Sequence, residues 1–181
     1  AGSRVECGCR QVGSLMIFYH LSSILEPFNL TRKIYCFDTF EGFRSLSEHD
    51  DNKLDEDIFA NVDYDVLNRA IEIHDYNRPI GHVPKVELIK GDATKTIPVF
   101  KEQHPELIIA LLYLDFDIYK PTVVALEHLL PLVPKGGIVV FDEVNDERWA
   151  GETKALKEYL KINEITLKLF PFDPLPAYFI V

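Results

Sequence analysis

Short β-rich runs alternate with stretches of helical periodicity along the whole chain, the pattern of a parallel α/β sheet. Arg4 to Cys7 reads as a first strand running into Gly8. Leu15, Met16, Phe18, Tyr19 and Leu25 then predict a largely apolar helix over Ser14 to Leu25, stopped by Pro27. Lys33 to Phe37 is a second strand ending at Asp38, and Val62, Val66, Ala70 and Ile73 recur at helical spacing. Val86 to Ile89 is a third strand, followed by Gly91-Asp92-Ala93-Thr94 and a short helix to Gln103. Ile108 to Leu114 is continuously apolar, as a strand covered on both faces should be, and it ends at Asp115. Pro121 to Leu130 predicts a buried helix, and Gly137 to Phe141 a fifth strand ending in Asp142-Glu143. Ala155, Leu156, Tyr159 and Leu160 mark another helix, and Thr166 to Phe170 and Tyr178 to Val181 are two closing strands. The order βαβαβαβαβαββ describes one doubly wound domain over residues 1–181. Between the second strand and its helix, Ser45 to Asp57 breaks the pattern. His49 is flanked there by Glu48, Asp50 and Asp51 and followed by Asp55, Glu56 and Asp57, which predicts a mobile surface loop or lid.

Charge narrows the partners. Against 29 acidic side chains stand 19 basic ones, a net −10, which disfavours nucleic acid or an anionic membrane because both demand a basic surface. The apolar run Leu107 to Leu114 is far too short to cross a bilayer. Cys7, Cys9 and Cys36 are an odd number without CxxC spacing, suiting neither a disulfide scaffold nor a structural zinc site. A reducing, cytoplasmic compartment is the expectation.

In an open parallel sheet, ligands bind beyond the carboxyl ends of the strands. Those ends read Glu6-Cys7-Gly8, Asp38, Gly91-Asp92, Asp115 and Asp142-Glu143, an acid at or beside each of the five. Any one could simply cap the following helix. The first turn, Gly8 to Gly13 and Ser14, has Arg10 where a pyrophosphate-binding GxGxxG needs its middle glycine. Glu6 would also repel a pyrophosphate. Asp38 stands where such folds put an acid on a ribose diol, and Asp92 could accept from an exocyclic amine. Together these roles describe an adenosine carrying a positive group and no phosphates, so S-adenosylmethionine fits better than NAD. Asp115, Asp142 and Glu143 should converge, because the fourth and fifth strands are neighbours in such sheets. Two like charges at about 4 Å repel by roughly 4 kcal/mol at an effective dielectric of 20. Mg²⁺ or a similar divalent cation would relieve this, as three oxygen donors suit it. The alternative is that one carboxyl is protonated or points to solvent.

At these residues the chain resembles class I S-adenosylmethionine-dependent methyltransferases of the macrocin O-methyltransferase type, which include sugar O-methyltransferases of macrolide, aminocoumarin and enediyne biosynthesis. The resemblance lies in Val5-Glu6-Cys7-Gly8 with Gly13-Ser14, Phe37-Asp38-Thr39-Phe40-Glu41-Gly42-Phe43 and Lys90-Gly91-Asp92-Ala93-Thr94-Lys95-Thr96-Ile97-Pro98. It continues through Leu114-Asp115-Phe116-Asp117-Ile118-Tyr119-Lys120-Pro121-Thr122 and Pro134-Lys135-Gly136-Gly137 with Phe141-Asp142-Glu143. It implies a seven-stranded, mostly parallel sheet with an antiparallel last strand. Glu6, Gly8, Gly13 and Ser14 would lie near the methionine part of the cofactor, Asp38, Thr39 and Phe40 at the ribose, and Gly91, Asp92 and Ala93 at the adenine. Asp115, Asp142 and Glu143 fall on the metal positions. The acceptor would be a hydroxyl of a small molecule, a deoxysugar or glycosylated natural product, and a homo-oligomer is allowed.

Three departures stand out. Asp142-Glu143-Val144 replaces the family's usual Asp-Asp-Tyr, Val12 replaces a frequent glycine, and the family's helices ahead of the first strand have no counterpart before Arg4 in this sequence. A base for the acceptor hydroxyl could be Asp117 or His49, although Asp117 could equally cap the next helix and His49 is more ordinarily a solvated loop histidine. Trp149 and the Phe170 to Pro176 segment are candidates to line the acceptor pocket, with packing as their ordinary role. A phenol, catechol or amine acceptor is the alternative within the same cofactor chemistry. A non-catalytic binding domain and an NAD-dependent oxidoreductase are weaker readings.

Overall fold

The computed structural model describes residues 1–10, 13–51 and 53–181. Five parallel strands form the centre of one sheet: β1 (Ser3–Cys7), β2 (Ile34–Asp38), β3 (Val86–Lys90), β4 (Ile109–Leu114) and β5 (Ile138–Phe141). β6 (Lys168–Phe170) and β7 (Asp173–Ile180) complete it, in the order β3-β2-β1-β4-β5-β7-β6. β7 runs antiparallel to both β5 and β6. The doubly wound, seven-stranded α/β architecture with an antiparallel last strand is therefore the one expected. The order reverses between β1 and β4, which opens a crevice at their carboxyl ends.

Helices α1 (Gly13–Leu25) and α2 (Tyr64–Asp75) cover one face; α3 (Ala93–Gln103), α4 (Tyr119–His128) and α5 (Ala150–Tyr159) cover the other. The alternation in β2 shows why both are needed. Ile34 and Cys36 pack with Leu15 and Leu67 on the first face, while Tyr35 and Phe37 pack with Phe100 and Ile97 on the second. Each such buried apolar side chain contributes about 1.5–3 kcal/mol over its exposed state. β7 starts at Asp173, five residues before the expected strand, because it pairs with β6 from Asp173, opposite Phe170, ahead of its pairing with β5 from Ala177. α4 starts at Tyr119, ahead of Pro121, a residue tolerated in a first turn because the missing N–H has no partner there. Among the described residues no helix is long and apolar enough to cross a membrane.

The cysteines depart from expectation. Cys9, in the turn after β1, is bonded to Cys36 in β2, and only Cys7 is left as a free, buried thiol. The spacing of 27 residues along the chain hides a pair that adjacent strands bring to one face. Alkylation of the denatured, unreduced protein is expected to label Cys7 alone, and all three thiols after reduction. Three labelled thiols without reductant would contradict the bond.

Candidate active site

Gly8 ends β1 with φ +89°, and a Cβ there would lie 1.8 Å from the Asp115 carbonyl oxygen. Only glycine lets the first turn pass so close to the end of β4. The turn is then fastened to β2: Asp38 Oδ2 accepts from the backbone N–H groups of Cys9 and Arg10, both at 2.9 Å, and Oδ1 accepts from Phe40 N at 2.6 Å. Asp38 thus holds the turn together, and its remaining lone pairs stay available for a ribose hydroxyl.

A cavity of about 370 Å³ opens over these strand ends. Gly8, Asp38, Thr39, Gly91, Asp92, Ala93, Asp115, Asp117, Asp142 and Glu143 all line it. Four expected cofactor residues do not. Phe40 is buried against Tyr64 on the α1–α2 side, Gly13 is exposed, and Ser14 donates to Glu6, which lies almost wholly buried below the turn. Asp92 also caps α3, accepting from Thr94 N and Oγ1 and from Ser45 Oγ. Burial pushes its pKa up, but those hydrogen bonds and Lys95 outweigh it and hold the carboxyl below its ordinary range.

The acids of β4 and β5 meet as a group. One oxygen from each of Asp115, Asp117 and Glu143 lies within 4.8 Å of the others. Asp142, expected in that set, lines the same cavity but accepts a hydrogen bond from the Tyr113 hydroxyl. Asp117 takes its place, held at φ +63°, a conformation that L residues rarely adopt. The helix-capping role open to Asp117 is filled from elsewhere: Asp50 reaches across from the 45–57 segment to accept from Tyr119 N at 2.7 Å. The same carboxylate accepts from Ser47 N and Oγ, and a Cβ on Gly151 would lie 2.2 Å from it. The segment expected to be a mobile lid is therefore pinned to α4 and α5. His49 stacks on Tyr119 with ring centroids 4.1 Å apart and does not line the cavity.

Residues 1–180 match the family described as Macrocin-O-methyltransferase (TylF). The chain belongs to that family. It is 34% identical to CalS11, calicheamicin methyltransferase, over 99% of this chain and 72% of that one, with a TM-score of 0.94. The apo structure of CalS11, a TDP-rhamnose 3′-O-methyltransferase of calicheamicin biosynthesis, gives 33% identity, the same coverage and a TM-score of 0.85. The O-methyltransferase NovP, at 20% identity, 99% and 72% coverage and a TM-score of 0.75, shares the fold. No curated protein sequence matches the chain. This macrocin-O-methyltransferase family member is an enzyme, an O-methyltransferase.

Its cavity holds an electrostatic problem that the sequence announces. Burial, with Asp142, Asp117, Glu152 and Glu143 nearby, pushes the Asp115 carboxyl up to about 11. Burial and the neighbouring Asp117 and Asp142 raise Glu143 to about 8. Burial and Asp142 lift Asp117 to about 7, with Glu143 donating to it and Arg10 drawing it back down. Under them lies Glu152, fully buried on α5, whose Oε2 accepts from Glu143 N at 3.0 Å. Among the described residues, Glu143 Oε2 and Glu152 Oε1 have no hydrogen-bond partner. A carboxylate oxygen left unpaired beside two other carboxyls is the donor set of a hard divalent cation, and the residues present fit one. Tyr113 and Glu152 escaped the sequence analysis. Glu152 does leave a signal, because it shares the apolar stripe of α5 with Ala155 and Leu156.

The raised pKa values set the sign of the pH dependence. The unfolded chain loses these protons near pH 4, whereas the folded cation-free protein keeps them to pH 7 or above, so rising pH favours unfolding across that window. Each proton so retained costs about 1.4 kcal/mol per pH unit. In EDTA the melting temperature is expected to fall between pH 5 and pH 7, and Asp115→Asn should raise it at pH 7. A flat profile would contradict the buried acids. Asp50→Ala should lower stability by about 1 kcal/mol, as for other lost caps, and increase proteolysis within residues 45–57.

Proposed function

We propose that the enzyme transfers a methyl group from S-adenosylmethionine to a hydroxyl of a small molecule, a deoxysugar or glycosylated natural product, with the help of Mg²⁺ or a similar cation. The observation that carries this reading is the single cavity in which Asp38 and Asp92 stand at one end and Asp115, Asp117 and Glu143 at the other. S-adenosylmethionine supplies an already activated sulfonium methyl, so the protein has to align a nucleophile and manage its proton. Asp38 would orient the ribose and Asp92 and Ala93 the adenine, with Gly8 giving the backbone room beside them. Asp115, Asp117 and Glu143 would hold the cation, which would lower the pKa of an acceptor hydroxyl. Asp117, which lines the cavity and is fixed by its backbone, would be the base that takes that hydroxyl proton. Glu152 would keep Glu143 in register through its backbone N–H, and Tyr113 would do the same for Asp142.

CalS11 is a TDP-rhamnose 3′-O-methyltransferase, which supports a sugar acceptor here. The Phe43–Phe59–Trp149 wall would also suit a phenol or catechol. A homo-oligomer is supported by the exposed Ile17, Leu21 and Ile24 of α1. A cytoplasmic location suits a biosynthetic enzyme of this family.

Calorimetry with S-adenosylhomocysteine is expected to give micromolar binding with Mg²⁺ and with EDTA. Absence of binding in both would overturn the cofactor assignment. Asp117→Asn should keep that binding and lose about 10²–10⁴-fold in kcat; full activity would remove Asp117 as the base.

A further inference from the structure

The acids that line the cavity answer only part of the proposed cofactor. S-adenosylmethionine ends in an amino acid, and its ammonium, sulfonium and ribose hydroxyls all suit carboxylate partners. Its own carboxylate does not. That group would enter a chain of net charge −10 and a cavity lined by Asp38, Asp92, Asp115, Asp117, Asp142 and Glu143. Of the residues expected at the methionine end, Gly8 lines the cavity, whereas Glu6, Gly13 and Ser14 do not. Glycine brings no side chain, so the amino-acid end finds no cationic partner in that set.

Among the described residues the lining holds two cations, Arg10 and Arg44. Arg44 precedes Ser45, whose hydroxyl donates to Asp92, and so belongs with the adenine end; it also meets the Asp57 carboxylate at 3.9 Å. Arg10 belongs with the first turn. It lies two residues beyond Gly8, and its backbone N–H donates at 2.9 Å to the Asp38 carboxylate expected to hold the ribose. Its guanidinium lies 3.9 Å from the centroid of Phe59 and, among the described residues, has no carboxylate within ion-pair distance. Phe59 is packed in turn against Phe43 and Trp149. A guanidinium stacked on an aromatic face keeps its donor edge free, and that edge matches a carboxylate with two parallel hydrogen bonds. Resting on the methyltransferase reading above, we propose that Arg10 recognises the α-carboxylate of S-adenosylmethionine, with Phe59 holding its guanidinium in place. Arg10 then makes the site selective for the intact amino-acid end over a decarboxylated sulfonium nucleoside. The same contact ties the cofactor to the aromatic wall, since Phe59 belongs to both.

The test is calorimetric titration of the full chain in EDTA with S-adenosylhomocysteine and with its decarboxylated analogue, in which hydrogen replaces the carboxylate and the amine remains. The wild-type chain is expected to bind S-adenosylhomocysteine about 10- to 100-fold more tightly than the analogue, the range of a charge-assisted hydrogen-bonded pair. Arg10→Gln should erase that preference by lowering S-adenosylhomocysteine affinity to that of the analogue, and Arg10→Lys should restore part of it. The affinity of the analogue should hold in both variants, which shows that the turn remains folded. Equal binding of the two ligands by the wild-type chain overturns the assignment, as does a preference that survives in Arg10→Gln. An equal loss of both ligands in Arg10→Gln and Arg10→Lys also overturns it, since Arg10 would then be a structural part of the turn. If the wild-type chain binds neither ligand, the cofactor reading falls and the carboxylate subsite falls with it.

Discussion

The crowding of carboxyl groups at one edge of the sheet is the constraint to which the rest of the site answers. The parallel order of β1 to β5 delivers every strand end to the same side, so Asp38, Asp92, Asp115, Asp142 and Glu143 all line one cavity. The protein meets that repulsion differently at each position. Asp38 is satisfied by three backbone N–H groups, Asp92 by the N-terminus of α3, and Asp142 by a phenol. Asp115, Asp117 and Glu143 have no such partner and are left with protons or a cation. Residual charge is concentrated where the chemistry is proposed.

Precision at that point depends on parts remote in sequence. Asp50, 69 residues before Tyr119, caps α4 and so leaves Asp117 free to turn into the cavity. Gly151 gives it room, as any side chain there would strike the Asp50 carboxylate. Gly8 does the equivalent at the opposite wall, where β1 passes over the backbone of Asp115. Of the 45–57 segment only Ser45 lines the cavity, and its acidic run contributes one structural cap, Asp50.

Most of the architecture was legible because it rests on periodicity. The apolar run before Asp115 and the Lys33–Phe37 strand ending at Asp38 place those acids at strand ends within a residue. The partners that tune the acids were not legible, because tertiary packing selects them. Tyr113 looks like one more apolar residue of a buried strand until β5 puts Asp142 beside it. Cys9 and Cys36 look unpaired until β1 and β2 align, and Asp117 looks like a cap until Asp50 occupies the helix end. Departures at β7 and α4 follow from pairing and from proline chemistry that hydropathy does not register.

Buried carboxyls facing the cavity hold their protons at neutral pH, and a cation bound as proposed would displace them. Proton release on adding that cation is therefore the quantity to measure. Mg²⁺ titrations at pH 7 in two buffers of different ionisation enthalpy should yield heats that differ by the release of about one proton or more per site. Identical heats in the two buffers would show that the acids are already ionised in the free protein, contradicting the account.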